Sequence, residues 1–171
     1  MVVASKGESP LKVFFAPVVA FLSMSATALT PIHNTDSVLI GTWAVDIDRL
    51  PIPPAARPKS VTIIFREAAT AARRTMVVSI VDAAGKETTA ETTYPLDGSA
   101  TSISGSPEAD TGAMKAPEPN VLVLALMKGG MGASTRIYAA APNGKEMVET
   151  AVYFSKDGSP IMRTNYFSRT D

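Results

Sequence analysis

Short apolar runs alternate with turn residues from Val38 to the end of the chain. The runs are rich in Val, Ile, Thr and aromatic residues, which is typical of an all-β protein. After Leu29 no apolar i, i+3, i+4 spacing continues for about ten residues without Pro, Gly or a β-branched run, so we expect no helix there. The predicted strands, of which the fifth has the weakest pattern, are 38–47, 60–67, 73–82, 87–95, 110–116, 121–128, 133–140, 145–154 and 160–168.

Two dipeptides near the C-terminus favour two-residue hairpins, because Asn143-Gly144 and Asp157-Gly158 supply residues that accept a positive φ. The first hairpin places Tyr138 opposite Glu149. The second places Glu149 opposite Tyr166. Together they predict a three-stranded meander with a defined register.

Side chains alternate along a strand, so this meander has two distinct faces. We expect the more aliphatic face to line the interior and the polar face to lie outside. The aliphatic face holds Ile137, Ala139, Val148, Val152, Phe154, Ile161, Arg163 and Phe167. The polar face holds Arg136, Tyr138, Met147, Glu149, Tyr153, Met162 and Tyr166.

A meander of this kind has two exposed edges, and closure of the sheet on itself removes them. The sequence therefore predicts an antiparallel up-and-down β-barrel of about eight strands. A β-sandwich is the alternative, although its crossings need longer connections than these hairpins. Two regions interrupt the strands. The Pro-rich stretch 49–59 predicts an extended crossing, and 96–119 predicts a long loop around one short strand.

The first residues resemble a secretory signal peptide. Lys6 and Lys12 precede the apolar run 13–22, and the small-residue stretch that follows contains Ala26-Thr27-Ala28. The run has about ten residues and is interrupted by Pro17, whereas a helix that spans the bilayer needs about twenty. A permanent membrane anchor is therefore the weaker interpretation.

We expect cleavage after Ala28 and a mature N-terminus at Leu29. The predicted organisation is a signal peptide over 1–28, a short N-terminal arm over 29–37 and the barrel domain over 38–171. Because the chain has no cysteine, it can form neither a disulfide nor a lipid-modified N-terminal cysteine. These features predict a periplasmic or secreted protein without a membrane anchor in its mature form.

Composition narrows the classes of function. The chain has 46% hydrophobic and 19% charged residues, which indicates a globular protein with a core. Its 16 basic and 16 acidic residues balance, so we expect no nucleic-acid partner.

Candidate catalytic and metal-binding residues are scarce. The only histidine, His33, lies before the first strand, so zinc sites and Cys-His or Ser-His-Asp catalysis are not expected. The carboxylates match no calcium-loop spacing, and we interpret them as solvated. They are Asp46 and Asp48 at the end of the first strand, and Asp97, Glu108 and Asp110 in the long loop. The sequence therefore predicts no catalytic residue, no metal and no cofactor.

The opening tripeptide Gly41-Thr42-Trp43 resembles the Gly-x-Trp motif of lipocalin and fatty-acid-binding barrels. The resemblance implies that Gly41 allows close packing at the closed end and that Trp43 plugs the barrel floor beneath an arginine from the last strand. Arg163 is the expected partner of Trp43, with Arg169 as the fallback. A cation over an indole ring would contribute about 0.5–2 kcal/mol to stability.

A longer part of the chain is similar to exported bacterial lipocalin-like proteins. The similar segments are Pro58-Lys59-Ser60, before a Val/Thr/Ile strand, and 105–111, which reads Gly-Ser-Pro-Glu-Ala-Asp-Thr. This resemblance implies a barrel of the lipocalin type but no particular activity.

Arg136 and Tyr138 resemble the Arg-x-Tyr pair that holds a carboxylate in fatty-acid-binding barrels. On an inward face, these two residues with Glu149 and Tyr166 would be suited to bind a ligand's anionic head group. On the outward face that we expect, Arg136 would form only a surface ion pair with Glu149.

The leading hypothesis is an exported barrel that binds a small apolar or amphipathic molecule in its interior. The alternative is a non-enzymatic interaction module whose barrel is filled by its own side chains. Convergence of Phe65, Phe154 and Phe167 at the centre would favour that alternative. An enzyme that uses Arg136, Tyr138, Glu149 and Tyr166 for acid-base chemistry is the third hypothesis.

Overall fold

A computed structural model describes residues 37–171 of the chain. Within that range the protein has ten β-strands, two short 3-10 turns (Ile47–Arg49 and Pro54–Ala56) and no α-helix. The strands are β1 Gly41–Val45, β2 Ser60–Glu67, β3 Arg73–Val81, β4 Glu87–Pro95, β5 Asp97–Ser102, β6 Thr111–Glu118, β7 Val121–Lys128, β8 Met131–Ala140, β9 Glu146–Phe154 and β10 Pro160–Arg169. The predicted signal peptide, nearly all of the predicted arm and His33 lie outside the described residues.

All ten strands belong to one antiparallel sheet with the order β4-β3-β2-β1-β10-β9-β8-β7-β6-β5. Strands that follow each other in the chain are neighbours, and β1 pairs with β10 to join the two halves. The ends of this order, β4 and β5, are consecutive in the chain and form a seam in a nearly closed barrel. The predicted all-β up-and-down barrel is confirmed, and the β-sandwich alternative is not needed.

The number of strands is larger than the prediction of about eight. The strand that the sequence does not reveal is β5, because its residues are small and polar and show no apolar alternation. Its ladder has one partner, β6, and its side chains are largely exposed. The region 96–119 therefore holds two strands joined by the loop 103–110, not one short strand within a long loop.

Antiparallel pairing divides the connections between the two ends of the barrel. We call the end that holds Gly41 and Arg169 the closed end, and the other the open end. The Pro-rich crossing from Asp46 to Lys59 and the loop 103–110 both lie at the open end. The prolines predict an extended connection, and the crossing is extended only in part, because it contains the 3-10 turns Ile47–Arg49 and Pro54–Ala56.

The register of the first C-terminal hairpin is confirmed, because Tyr138 lies opposite Glu149. The second hairpin differs by one residue. Asn165, not Tyr166, lies opposite Glu149. Here Ser155 N donates to Ser159 O at 3.0 Å and closes a three-residue loop, with a φ of +84° at Gly158. This is the geometry of a type I turn followed by a left-handed glycine, not a two-residue turn.

Candidate functional site

The closed end of the barrel is sealed by Trp43. Its side chain is 0% exposed, and its indole Nε1 donates to Leu39 O at 2.9 Å. The guanidinium of Arg169 lies 4.5 Å from the indole ring centroid, within the range of a cation–π contact. The expected floor tryptophan is therefore in place, and its cationic partner is the fallback Arg169.

The assignment of Arg163 as the partner of Trp43 is wrong. In the β1–β10 ladder Trp43 pairs directly with Arg169, and Arg163 lies six residues earlier on β10. At about 3.3 Å per strand residue, the two arginines are roughly 20 Å apart along β10. Arg163 is exposed, and its guanidinium lies 5.2 Å from the ring centroid of Tyr153.

Gly41 makes room for that arginine. A Cβ at this position would lie 2.0 Å from Arg169 Nη1, and the φ of +138° disfavours any other residue. Arg169 Nη1 also donates to Ile40 O at 2.7 Å. Gly41, Trp43 and Arg169 thus form one packed floor, which we call the barrel floor.

A cavity of about 240 Å³ lies inside the barrel. Its lining is mainly apolar and comes from β1–β4, β7–β10, the crossing between β1 and β2, and the loop 103–110. Trp43 is not part of it. The apolar part of the lining includes Val45, Leu50, Val61, Ile63, Met76, Val78, Ile80, Ala90, Ile103, Leu124, Leu126 and Phe167.

The polar corner of this cavity is an ion-pair cluster, which we define as Arg136, Glu149, Glu108 and Asn165. Arg136 Nη1 donates to Glu149 Oε1 at 2.7 Å, and Asn165 Nδ2 donates to Glu149 Oε2 at 2.6 Å. Arg136 Nη2 donates to Glu108 Oε1. Because Glu149 is only 2% exposed, its charge depends on these donors for compensation.

The expected facing of the meander is therefore wrong. Tyr138 and Glu149 are buried and Arg136 lines the cavity, whereas Ile137 is 36% and Phe154 is 68% exposed. The Arg136–Glu149 pair exists, but inside the barrel and not on its surface. The polar face is thus the interior face of β8 and β9.

The surroundings of the cluster raise the pKa of both Arg136 and its neighbour Tyr138. Burial alone would lower the pKa of Arg136, but the negative charges of Glu149 and Glu108 beside its guanidinium outweigh this effect and raise that pKa. Burial, reinforced by the charge of Glu149, raises the pKa of Tyr138 well above its ordinary value. The phenol of Tyr138 therefore stays protonated, and its ring packs edge-on against Phe65 with centroids 5.4 Å apart.

Tyr166 does not join the other three predicted ligand-binding residues. The one-residue shift turns it to the outer face, where the Arg49 guanidinium lies 3.3 Å from its ring centroid. Asn165 occupies the inward position instead. The interpretation of Glu108 as a solvated carboxylate is also wrong, because it forms an ion pair with Arg136 from the loop 103–110.

No strong local sequence pattern marks Asn165 or Glu108 as part of the site. Asn165 could have been found from the correct hairpin register, because it lies opposite Glu149. Glu108 lies in a loop, so no periodicity assigns it a direction.

Two further findings concern the described residues alone. In residues 37–171 no three His, Cys, Asp or Glu side chains are grouped so that they could hold a metal ion. The same residues contain no helix with the length and hydropathy needed to cross a membrane.

Comparison with known proteins finds no family match, but it finds structural likenesses. No protein-family model matches the chain, and no curated protein matches it. A solved structure described as "Structure of EF1p2_mFAP2b bound to DFHBI" is 14% identical, with a TM-score of 0.42. That match covers 78% of this chain and 94% of the other.

Proposed function

We propose that this chain is an exported, lipocalin-like carrier that binds a small apolar or amphipathic molecule inside its barrel. The observation that carries the proposal is the interior cavity of about 240 Å³, with its apolar lining and one polar corner. A concave, mainly apolar pocket with a few convergent polar groups is typical of small-molecule sites.

The packing of the phenylalanines also supports a carrier over a barrel filled by its own side chains. Phe65 is 0% and Phe167 is 4% exposed, but Phe154 is 68% exposed on the outside. The three rings therefore do not meet at the centre. The cavity of about 240 Å³ is smaller than the roughly 300–1,000 Å³ that is typical of small-molecule pockets, so we expect a short ligand with a chain of about eight carbons.

Binding of 1-octanol, measured by isothermal titration calorimetry, tests the proposal. We expect saturable binding with a negative heat-capacity change, because apolar surface is buried in the cavity. Val78 lines the cavity, so Val78→Phe should fill part of it and abolish binding. Val123 points outward from β7, and Val123→Phe is the matched control that should bind octanol like the unmodified protein.

Both variants must first show cooperative thermal unfolding. Octanol binding that Val78→Phe and Val123→Phe leave equally intact would place the ligand outside the barrel and contradict the proposal. Absence of octanol binding to the unmodified protein would also contradict it.

Export is a separate part of the proposal, supported by the charged, apolar and small-residue order of 1–28. Mass spectrometry of the protein recovered from the periplasm or medium should give a mature chain that begins at Leu29. An exported protein that still carries Met1 would contradict this part and leave the carrier proposal intact.

A further inference from the structure

The charges that line the cavity do not balance. Among the described residues of the lining, Arg136 is the cation, and Glu149 and Glu108 are the anions. The two terminal nitrogens of Arg136 are each engaged by one of these carboxylates. The polar corner therefore carries a surplus of one negative charge.

The two carboxylates differ in their ability to accept a further donor. Each oxygen of Glu149 already accepts a hydrogen bond, one from Arg136 and one from Asn165. Glu108 accepts from Arg136 through Oε1, and no donor within residues 37–171 reaches its Oε2. The Glu108 side chain is 49% exposed and belongs to the loop 103–110, which lies at the open end of the barrel and contributes to the cavity lining.

Resting on the proposed function, we propose that the ligand carries a cationic head group, such as an ammonium. This head group binds Glu108 beside the Arg136–Glu149 pair, while the hydrocarbon part occupies the apolar lining of β2–β4. A charge-assisted hydrogen bond to Glu108 Oε2 would use the free acceptor without breaking either existing ion pair.

An anionic head group has no equivalent position at this polar corner. A ligand carboxylate must either displace Glu108 from Arg136 or lie close to two carboxylates, and like charges in contact lower affinity strongly. The preferred ligand charge is therefore opposite to the anionic head group that the spacing of Arg136 and Tyr138 suggested. The neutral phenol of Tyr138 adds no positive charge that would compensate.

Three ligands with the same eight-carbon chain test this inference: 1-octylamine, 1-octanol and octanoate, titrated calorimetrically at pH 7. The amine is protonated there, because alkylamines have a pKa similar to that of lysine. We expect octylammonium to bind about tenfold more tightly than octanol, and octanoate to bind more weakly than octanol.

Glu108→Gln removes the surplus charge and keeps the shape of the side chain. We expect this variant to lose the preference for octylammonium and to bind octanoate better than the unmodified protein. Glu91→Gln is the matched control, because Glu91 is exposed on β4 outside the cavity lining and the change in net charge is the same. It should leave all three affinities unchanged.

The outcomes separate the inference from the proposed function. If octanol binds but octanoate binds as tightly as octylammonium, the cationic head group is wrong and the carrier function stands. An amine preference that Glu91→Gln reduces as much as Glu108→Gln would also overturn the inference, because bulk charge would then explain it. If none of the three ligands binds, the proposed function fails as well.

Discussion

Gly41 is the position at which one added methyl group should cost the most stability. Gly41→Ala introduces a Cβ 2.0 Å from Arg169 Nη1 on a backbone with a φ of +138°. We expect the free energy of unfolding to fall by about 2–3 kcal/mol, because the strained backbone and the displaced arginine both contribute. Urea denaturation measures this loss.

Gly132→Ala is the control for that measurement. A Cβ at Gly132 would have no neighbouring atom within 4 Å, and its φ is not in the left-handed region. Its effect should stay within about 0.5 kcal/mol. Equal effects of the two substitutions would contradict the role given to Gly41.

The buried ion pair between Arg136 and Glu149 should show strong coupling in a double-mutant cycle. Arg136→Met leaves Glu149 charged in an environment where it is 2% exposed, so we expect a loss of about 3–5 kcal/mol. Arg136→Met combined with Glu149→Leu removes both charges and should cost much less than the sum of the single substitutions. Chemical denaturation of the four proteins checks this, and simple additivity would contradict it.

The position of a single residue could be predicted where a sequence motif specifies it. It could not be predicted where it depends on the register between two strands. The Gly-x-Trp motif correctly indicated Gly41 and Trp43 as parts of the floor. The choice between Arg163 and Arg169 depended on the register between β10 and β1. No local sequence pattern indicates that register. Glu108 depended on the path of a loop.

At the scale of elements, the register of one hairpin explains why the predicted interior and exterior faces of the meander were exchanged. The predicted two-residue turn at Asp157-Gly158 shifted β10 by one residue relative to β9. A shift of one residue exchanges the faces of a strand, so it grouped Phe167 with Val148 and Val152. In the actual register Phe167 pairs with Met147, and Glu149 and Tyr138 follow on the same inward face.

The turn that causes this shift has a measurable signature at Asp157. Its carboxylate accepts hydrogen bonds from the Ser155 hydroxyl and from Ser159 N, at 3.0 Å for the latter. These bonds lower the pKa of Asp157 to about 2. Ser155→Ala removes the first donor, so we expect that pKa to rise towards 3.8, measured by NMR titration of the side-chain carboxyl.

The sign of the pH effect follows from the lowered pKa. The contribution of Asp157 to folding is complete above about pH 4 and is lost as the pH falls through about 2. Ser168→Ala, an exposed change elsewhere on β10, should leave the pKa of Asp157 at about 2. An unchanged pKa in Ser155→Ala would contradict this account of the turn.

At the scale of the whole molecule, the seam between β4 and β5 should be the least protected part of the barrel wall. The ladder of β5 runs along β6 alone, whereas β7 is paired with both β6 and β8. We expect backbone amides of β5 to exchange with deuterium at least about tenfold faster than those of β7. Hydrogen exchange read by mass spectrometry checks this, and equal protection would show that the barrel is fully sealed.

The barrel itself was predictable, because hairpins between apolar runs leave edges that closure removes. The cavity was not. The volume of the cavity is the small difference between two large volumes: the volume that the ten strands enclose and the volume of the side chains inside it. Whether Phe154 points in or out, and whether the loop 103–110 covers the opening, both change that difference.

The position of Trp43 behind the cavity lining decides how binding can be observed. The chain's single indole is packed into the floor and does not line the site, so its emission is shielded from a molecule that enters. A flat fluorescence titration would therefore say little about occupancy. Tyr94 and Tyr138 do line the cavity, so a bound ligand should change their near-ultraviolet absorbance.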